Sequence, residues 1–273
     1  MPVVTIICGP TASGKSGLAC KLAAEIGGTI INCDSMQVYG GLEVLTACPT
    51  QQEKCAIPHL LYNYVPVGAG YNVKRYVDDV AGVLPMVTKP IFVGGTGLYL
   101  KALLDGLSVV PDITQDTRHF VDKLLESQGI AGAYCALQKM DPDYAQRLKP
   151  NDVARITRAL AVVYQTGQSL MTYNRQKQEG LLAGYLRHII FLKPQRDALY
   201  RNCNMRFVHM VNSGALEEVR ACVEQGVNSS ALGFAELRRY LAGELSMDEA
   251  ITQAQTKTRQ YAKRQITWFS NQL

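Results

Sequence analysis

Residues Gly9-Pro10-Thr11-Ala12-Ser13-Gly14-Lys15-Ser16 fit the pattern G-x-x-x-x-G-K-[ST]. In such a loop the backbone curls until its N–H groups point inward. Lys15 adds a point charge, and the following helix presents its positive end. Ser16 Oγ is a candidate ligand for Mg²⁺. The pattern binds a di- or triphosphate, but it says neither which one nor what is done with it.

Asp34 opens the segment Asp34-Ser35-Met36-Gln37-Val38-Tyr39, directly after a short apolar run. In a doubly wound sheet the end of that strand lies at the rim carrying the phosphate loop. A carboxylate there either takes a proton from an attacking nucleophile or contacts hydrated Mg²⁺. An Asp-Ser pair also serves as a turn or a helix cap, so these roles stay open.

A third strand, Pro90-Ile91-Phe92-Val93, runs into Gly94-Gly95-Thr96-Gly97. No acidic residue stands at that rim, which weakens a kinase or ATPase reading. The glycines either admit a ligand closely or make a tight strand-to-helix turn, and Thr96 carries a hydroxyl to donate. Arg155 and Arg158 share one helix face, and Arg206 follows the last strand. Arginines around a phosphate site stabilise a departing pyrophosphate, although exposed helical arginines are more often merely solvated. Near the C-terminus, Lys257, Arg259, Lys263 and Arg264 form a basic stretch without an acid, suited to tracking a nucleic-acid backbone. Trp268 reads as an anchor of that helix on the core rather than a base-stacking surface.

The elements that position these residues alternate. Val3–Cys8, Thr29–Cys33, Pro90–Val93 and His188–Leu192 read as strands. Helices are expected over Ser16–Ile26, Tyr71–Leu84, Leu98–Leu104 and Ser246–Phe269. Between them, helical patterns cover Asp116–Ser127, Ile130–Lys139, Pro142–Leu148 and Asn151–Tyr164 with no convincing strand. The expected fold is therefore α/β: a P-loop, doubly wound parallel sheet with an inserted all-helical lobe. Residues 1–111 and 187–273 would form the core, and 112–186 the insertion.

Composition bounds the rest. With 273 residues, 47% hydrophobic and 19% charged, the chain is neither disordered, nor collagen-like, nor a coiled coil. No apolar run approaches the ~20 residues of a membrane span. The first residues lack a basic, signal-like stretch, so a cytoplasmic location without membrane attachment is expected. A net charge of +5 is compatible with a polyanionic partner. The eight cysteines show no metal-ligand spacing and read as reduced, mostly buried residues.

In this order the motifs resemble those of the bacterial tRNA isopentenyltransferase family, the tRNA dimethylallyltransferases. Gly9–Ser16 looks like its phosphate loop, and Asp34–Tyr39 like its Asp-Ser-x-Gln-x-Tyr segment. Val93–Tyr99 matches its third-strand motif, as do Asn151-Asp152 with Arg155 and Arg158, and Lys263–Trp268 at the end. The resemblance covers nearly the whole chain. It implies prenyl transfer from dimethylallyl diphosphate to N6 of the adenosine 3′ of the anticodon. Asp34 would be the general base, and Thr96 would contact the bridging oxygen or position the nucleophile. Lys15, Mg²⁺ on Ser16, Arg158 and Arg206 would neutralise the leaving diphosphate. Ser35, Met36 and Gln37 would line a flipped base. Arg118, Arg155, Lys263 and Arg264 would grip the anticodon stem-loop, which the helical insertion and the basic tail together would hold. The protein would act as a monomer. Two positions depart from the family pattern: Cys48 stands where a lysine is usual, and Ala235 where a basic residue is usual after Gly233.

The phosphate loop alone also suits a small nucleotide or metabolite kinase using ATP, with Asp34 facing an acceptor hydroxyl. A third possibility is a non-catalytic RNA-binding protein holding a nucleotide as a structural ligand.

Overall fold

A computed structural model describes residues 1–176 and 178–273. Among the described residues seven strands form: β1 (Val3–Cys8), β2 (Thr29–Asn32), β3 (Tyr39–Gly40), β4 (His59–Leu60), β5 (Val65–Pro66), β6 (Pro90–Gly94) and β7 (Leu186–Phe191). Five of them make one parallel sheet in the order β4-β2-β6-β1-β7. Its register sets Cys8 beside Gly94 and Asn32 beside Val93. The loops that follow β1, β2 and β6 therefore leave from one rim.

Period-two alternation explains why these strands read as continuous apolar runs. Val4, Ile6, Ile31 and Phe92 pack on one face with Tyr76, Leu100, Leu103 and Phe269. Ile7, Ile30, Ile91 and Val93 pack on the other with Ala19 and Ala23. Helices cover both faces, as a doubly wound sheet requires: α1 (Lys15–Ile26) on one, and α3 (Val73–Val83) and α4 (Gly97–Asp105) on the other. The short α2 (Gln51–Ala56) lies between β3 and β4 in the chain.

The described chain divides into two compact units, Met1–Leu104 with Leu181–Leu273, and Asp105–Gly180. Both junctions fall a few residues before the bounds of 112 and 186 expected from the run of helical patterns. The second unit is helical, with α5 (Gln115–Met140), α6 (Pro142–Ala145), α7 (Val153–Thr166) and α8 (Leu170–Arg175). Its own core gathers Val121, Leu137, Ile156 and Leu160. Gly129, with φ of 66°, breaks α5 between the two segments expected from the sequence.

After β7 come α9 (Arg196–Met210), α10 (Leu216–Glu224), α11 (Phe234–Leu241) and α12 (Met247–Gln272). They enclose a further core in which Leu42 and Leu45 meet Phe207, Met210, Val219 and Phe234. Helix α12 starts at a capping box between Ser246 and Glu249. Its buried stripe is Ala250, Ala254, Thr258, Ala262, Gln265 and Phe269, mostly small residues that let the helix lie close against its neighbours. Of the eight free cysteines, Cys8, Cys33, Cys203 and Cys222 are buried, while Cys55 and Cys135 are exposed.

Candidate active site

The phosphate loop sits between β1 and α1. Lys15 Nζ donates to the Pro10 carbonyl at 2.6 Å. Burial lowers its pKa to about 8, with Asp34 opposing that shift and Arg206 adding to it. Arg206, on α9, donates to Thr11 Oγ1. Burial also lowers the Arg206 pKa, against the pull of Cys203 and Asp34. Two cations and one carboxylate thus share a poorly solvated corner, where the cations lack sufficient negative charge. An anion entering there gains more than it would in water.

Two hollows meet at Arg206. One, of about 450 Å³, is lined by Ala12 to Gly17 together with Asn202 and Met205. The other, of about 360 Å³, has polar groups from Thr11, Asp34, Ser35 and Arg264, and an apolar side from Leu45, Phe207 and Met210. Met36 and Tyr261 also line it.

Asp34 is held firmly. Its N–H donates to Asn32 Oδ1 at 2.8 Å, and Asn32 Nδ2 donates to the Asp34 carbonyl at 3.0 Å. Asn32 Nδ2 also reaches the Leu61 carbonyl, and Tyr76 OH donates to the Asn32 carbonyl. Asp34 Oδ1 accepts the Met36 N–H at 2.9 Å. One carboxylate oxygen therefore makes the local turn. No protein group among the described residues hydrogen-bonds the other.

Of the two readings of the glycine-rich rim, the tight turn packed against other elements is the one seen here. Its close neighbours are protein: a Cβ on Gly95 would lie 2.2 Å from Gln265 Nε2, and one on Gly97 would lie 2.3 Å from the Trp268 ring. Trp268 thereby anchors α12, as expected. Thr96 does not line the cavity. Its Oγ1 accepts the Ser35 N–H at 2.9 Å and donates to Ser35 Oγ at 3.3 Å, so it holds the Asp34 loop to β6. Tyr261 lines the cavity, and its pKa is pushed up to about 12 by burial and by Asp34. Gln37 is also absent from the lining; its amide donates to the Thr46 and Ala47 carbonyls and shapes the following loop.

Of the four basic residues on α12, Lys257 pairs with the buried Glu236, and Arg259 donates to Asn204 Oδ1 at 2.6 Å. The reading of all four as backbone-tracking cations is corrected accordingly, because these two are tied into the fold. Lys263 and Arg264 are exposed, and Arg264 stacks over Tyr261 at 5.7 Å.

The sequence model of the IPP transferase family matches residues 37–272, and that of isopentenyl transferases matches residues 2–59. A tRNA dimethylallyltransferase from Nitrobacter hamburgensis is 46% identical, over 98% of this chain and 87% of its own. The chain belongs to the tRNA dimethylallyltransferase family. Another relative of that name, from Rickettsia bellii, is 40% identical over 99% of this chain and 88% of its own. Among solved structures, the full-length tRNA isopentenylpyrophosphate transferase of Bacillus halodurans is similar, with a TM-score of 0.70. It is 32% identical, covering 100% of this chain and 88% of its own. A eukaryotic dimethylallyltransferase acting on tRNA gives a TM-score of 0.81 at 30% identity, covering 98% of this chain and 70% of its own.

The two positions that the resemblance marked as departures, Cys48 and Ala235, have distinct surroundings. Cys48 is half-buried, its Sγ 3.2 Å from Thr46 Oγ1, and burial pushes its thiol up to about 12. Phe234 is a core residue, whereas Ala235 beside it is exposed. In the helical unit, Arg118, Arg155 and Arg158 are all exposed. Arg155 leans on Asp152 at 3.5 Å. Arg158 has its pKa lowered by partial burial, with Asp112 opposing and Arg118 adding.

Sequence reasoning missed Asn32, Gln265 and Tyr261. Asn32 had a signal, being a polar residue inside an apolar strand. Phe207 and Met210 had none, because only the fold of α9 turns them toward Asp34.

Proposed function

We propose that the protein transfers a dimethylallyl group from dimethylallyl diphosphate to N6 of the adenosine 3′ of the tRNA anticodon. The allylic C–O bond breaks, the N6–C bond forms, diphosphate leaves, and the N6 proton passes to Asp34. The observation carrying this reading is Asp34 on the wall of a cavity that also holds Arg206 and an apolar side. A kinase acceptor would also meet Asp34 there, but the apolar side from Leu45, Phe207 and Met210 suits a hydrocarbon chain better than a polar acceptor. Lys15, Arg206 and the loop N–H groups would take the diphosphate, and Leu45, Phe207 and Met210 would enclose apolar carbon.

Ser35 and Met36 would border the adenine, which must leave its stack to reach Asp34. Thr96 would act by holding Ser35, and Gln37 by holding the loop. Arg118, Arg155 and Arg158 on the helical unit, and separately Lys263 and Arg264 on the other unit, would each contact the anticodon stem-loop.

Magnesium fits the donor set. The Ser16 hydroxyl is exposed beside Lys15 and offers one hard oxygen, and the described residues gather no group of three His, Cys, Asp or Glu side chains. Water and diphosphate oxygens would complete such a site, the arrangement magnesium prefers. Bound there, the ion would neutralise charge developing on the leaving group.

Among the described residues no helix is long and apolar enough to cross a membrane. We place the reaction in the cytoplasm, with the protein working as a monomer.

The deciding experiment mixes protein, Mg²⁺, a tRNA lacking the modification, and either dimethylallyl diphosphate or ATP. A five-carbon mass gain on the adenosine is expected with the prenyl donor alone. No gain with that donor would reject the reading.

A further inference from the structure

Gln265 is a buried amide in the middle of a helix whose other buried residues are almost all apolar. Both ends of the amide are engaged, each to a different loop. Oε1 accepts the Thr11 N–H at 2.8 Å, and Nε2 donates to the Gly95 carbonyl at 2.7 Å. Thr11 follows β1 and Gly95 follows β6, and these two strands pair directly, with Cys8 beside Gly94. The amide therefore spans the two neighbouring loops at the rim from above, as a strut.

The fit is close on every side. A Cβ at Gly95 would come within 2.2 Å of Gln265 Nε2, so only glycine leaves room for the amide. Thr11 N–H is taken up by Gln265 of α12, while Thr11 Oγ1 accepts from Arg206. One residue thus receives α12 on its backbone and α9 on its side chain. Tilting Thr11 would move both Arg206 and the loop N–H groups that follow it.

We propose that Gln265 is a positioning residue for the diphosphate donor: it fixes Thr11 against Gly95, and so sets the phosphate loop and Arg206 for the anion. This rests on the reading of residues 9–16 as a diphosphate site. Lys263 and Arg264 lie on the exposed side of the same helix, so the role of Gln265 separates from RNA binding.

The test compares wild type with Gln265→Met, Gln265→Glu and Gly95→Ala. The readouts are inorganic pyrophosphate affinity with Mg²⁺ by calorimetry, donor KM and kcat, affinity for an anticodon stem-loop RNA, and Tm. Gln265→Met is expected to raise the pyrophosphate Kd and donor KM at least tenfold. It should leave RNA affinity within twofold and lower kcat by less than it raises KM. Gly95→Ala, with Gln265 still present, should reproduce the donor-specific loss. Gln265→Glu keeps an acceptor for Thr11 and loses the donor to Gly95, so it should fall between. Pyrophosphate affinity within twofold of wild type in the folded variants overturns the proposal, as does a parallel loss of pyrophosphate and RNA affinity that follows Tm. If Gln265→Met does not fold, the other two variants decide in the same terms. Wild type that fails to bind pyrophosphate would instead refute the phosphate-loop reading itself.

Discussion

Asn32 holds Asp34 by both polar groups of its backbone, accepting the N–H at 2.8 Å and donating to the carbonyl at 3.0 Å. The carboxylate is thereby fixed by a residue that does not line the cavity. Asn32→Leu should leave Asp34 free to turn, the Leu61 carbonyl without its partner and the Asp34 backbone groups unpaired. A stability loss of about 1–3 kcal/mol is expected, together with a fall in kcat larger than any change in donor KM. Thermal melts and steady-state kinetics check this; an unchanged kcat in folded Asn32→Leu would show that the Asp34 geometry does not matter.

Asp34→Ala is expected to lower kcat by about 10²–10⁴, the range for a lost general base. Pyrophosphate affinity should hold or improve, because a negative charge beside Lys15 and Arg206 is removed. A raised donor KM with normal kcat would assign Asp34 to binding instead.

Lys15 has a pKa of about 8, against 10.5 for an ordinary lysine. Its charged form binds the anion, so donor affinity should fall as pH rises through 8. Lys15→Arg stays charged over that range and controls for titration of the ligand. Equal pH profiles for the two proteins would remove Lys15 from the donor site. Between pH 8 and 10.5 the unfolded chain keeps a proton that the folded one has lost, so stability of the free protein rises across that window. Below it, the buried charge destabilises the fold. Lys15→Met should therefore raise Tm at pH 7 while pyrophosphate binding is lost.

Gly97→Ala places a Cβ 2.3 Å from the Trp268 ring. Helix α12 must shift, at a cost of about 1–3 kcal/mol. Trp268 is the sole tryptophan, so its emission reports the shift directly. A red-shifted maximum with a lowered Tm is expected, and an emission spectrum identical to wild type would contradict the packing.

Two lysines on α12 should behave in opposite ways. Lys263→Ala should weaken tRNA binding and reduce the salt slope by about one charge, with little effect on Tm. Lys257→Ala should lower stability by about 1–3 kcal/mol, because Glu236 is 3% exposed and loses its partner. Its salt slope should match wild type, and a reduced slope would place Lys257 on the RNA surface as well.

Much of this was readable in the residues. The phosphate loop announces itself because few sequences curl a backbone around an anion, and the alternation of apolar strands and helices follows from burial on both faces. The bridging role of Gln265 was not readable, since a glutamine in a basic helix looks solvated until the helix is docked. The rim glycines showed that something comes close but not what it is; the answer lies on α12, far along the chain. Lys257 and Arg259 read like Lys263 and Arg264, because helix rotation decides which side chains meet Glu236 and Asn204. The cavity's apolar side draws on Leu45, Phe207 and Met210, residues whose types suit any core.

The Thr11–Gln265 bond closes a span of 254 positions. During synthesis the phosphate loop leaves the ribosome long before its amide partner has been translated. Strand β1 and helix α1 can form early from local contacts, yet the loop between them waits for α12. If Gln265 sets the donor site as proposed, donor competence arrives late in translation, together with the helix that presents Lys263 and Arg264. A nascent chain that stalls before α12 would hold its phosphate loop through Arg206 of α9 alone, without the bridge from Thr11 to Gly95.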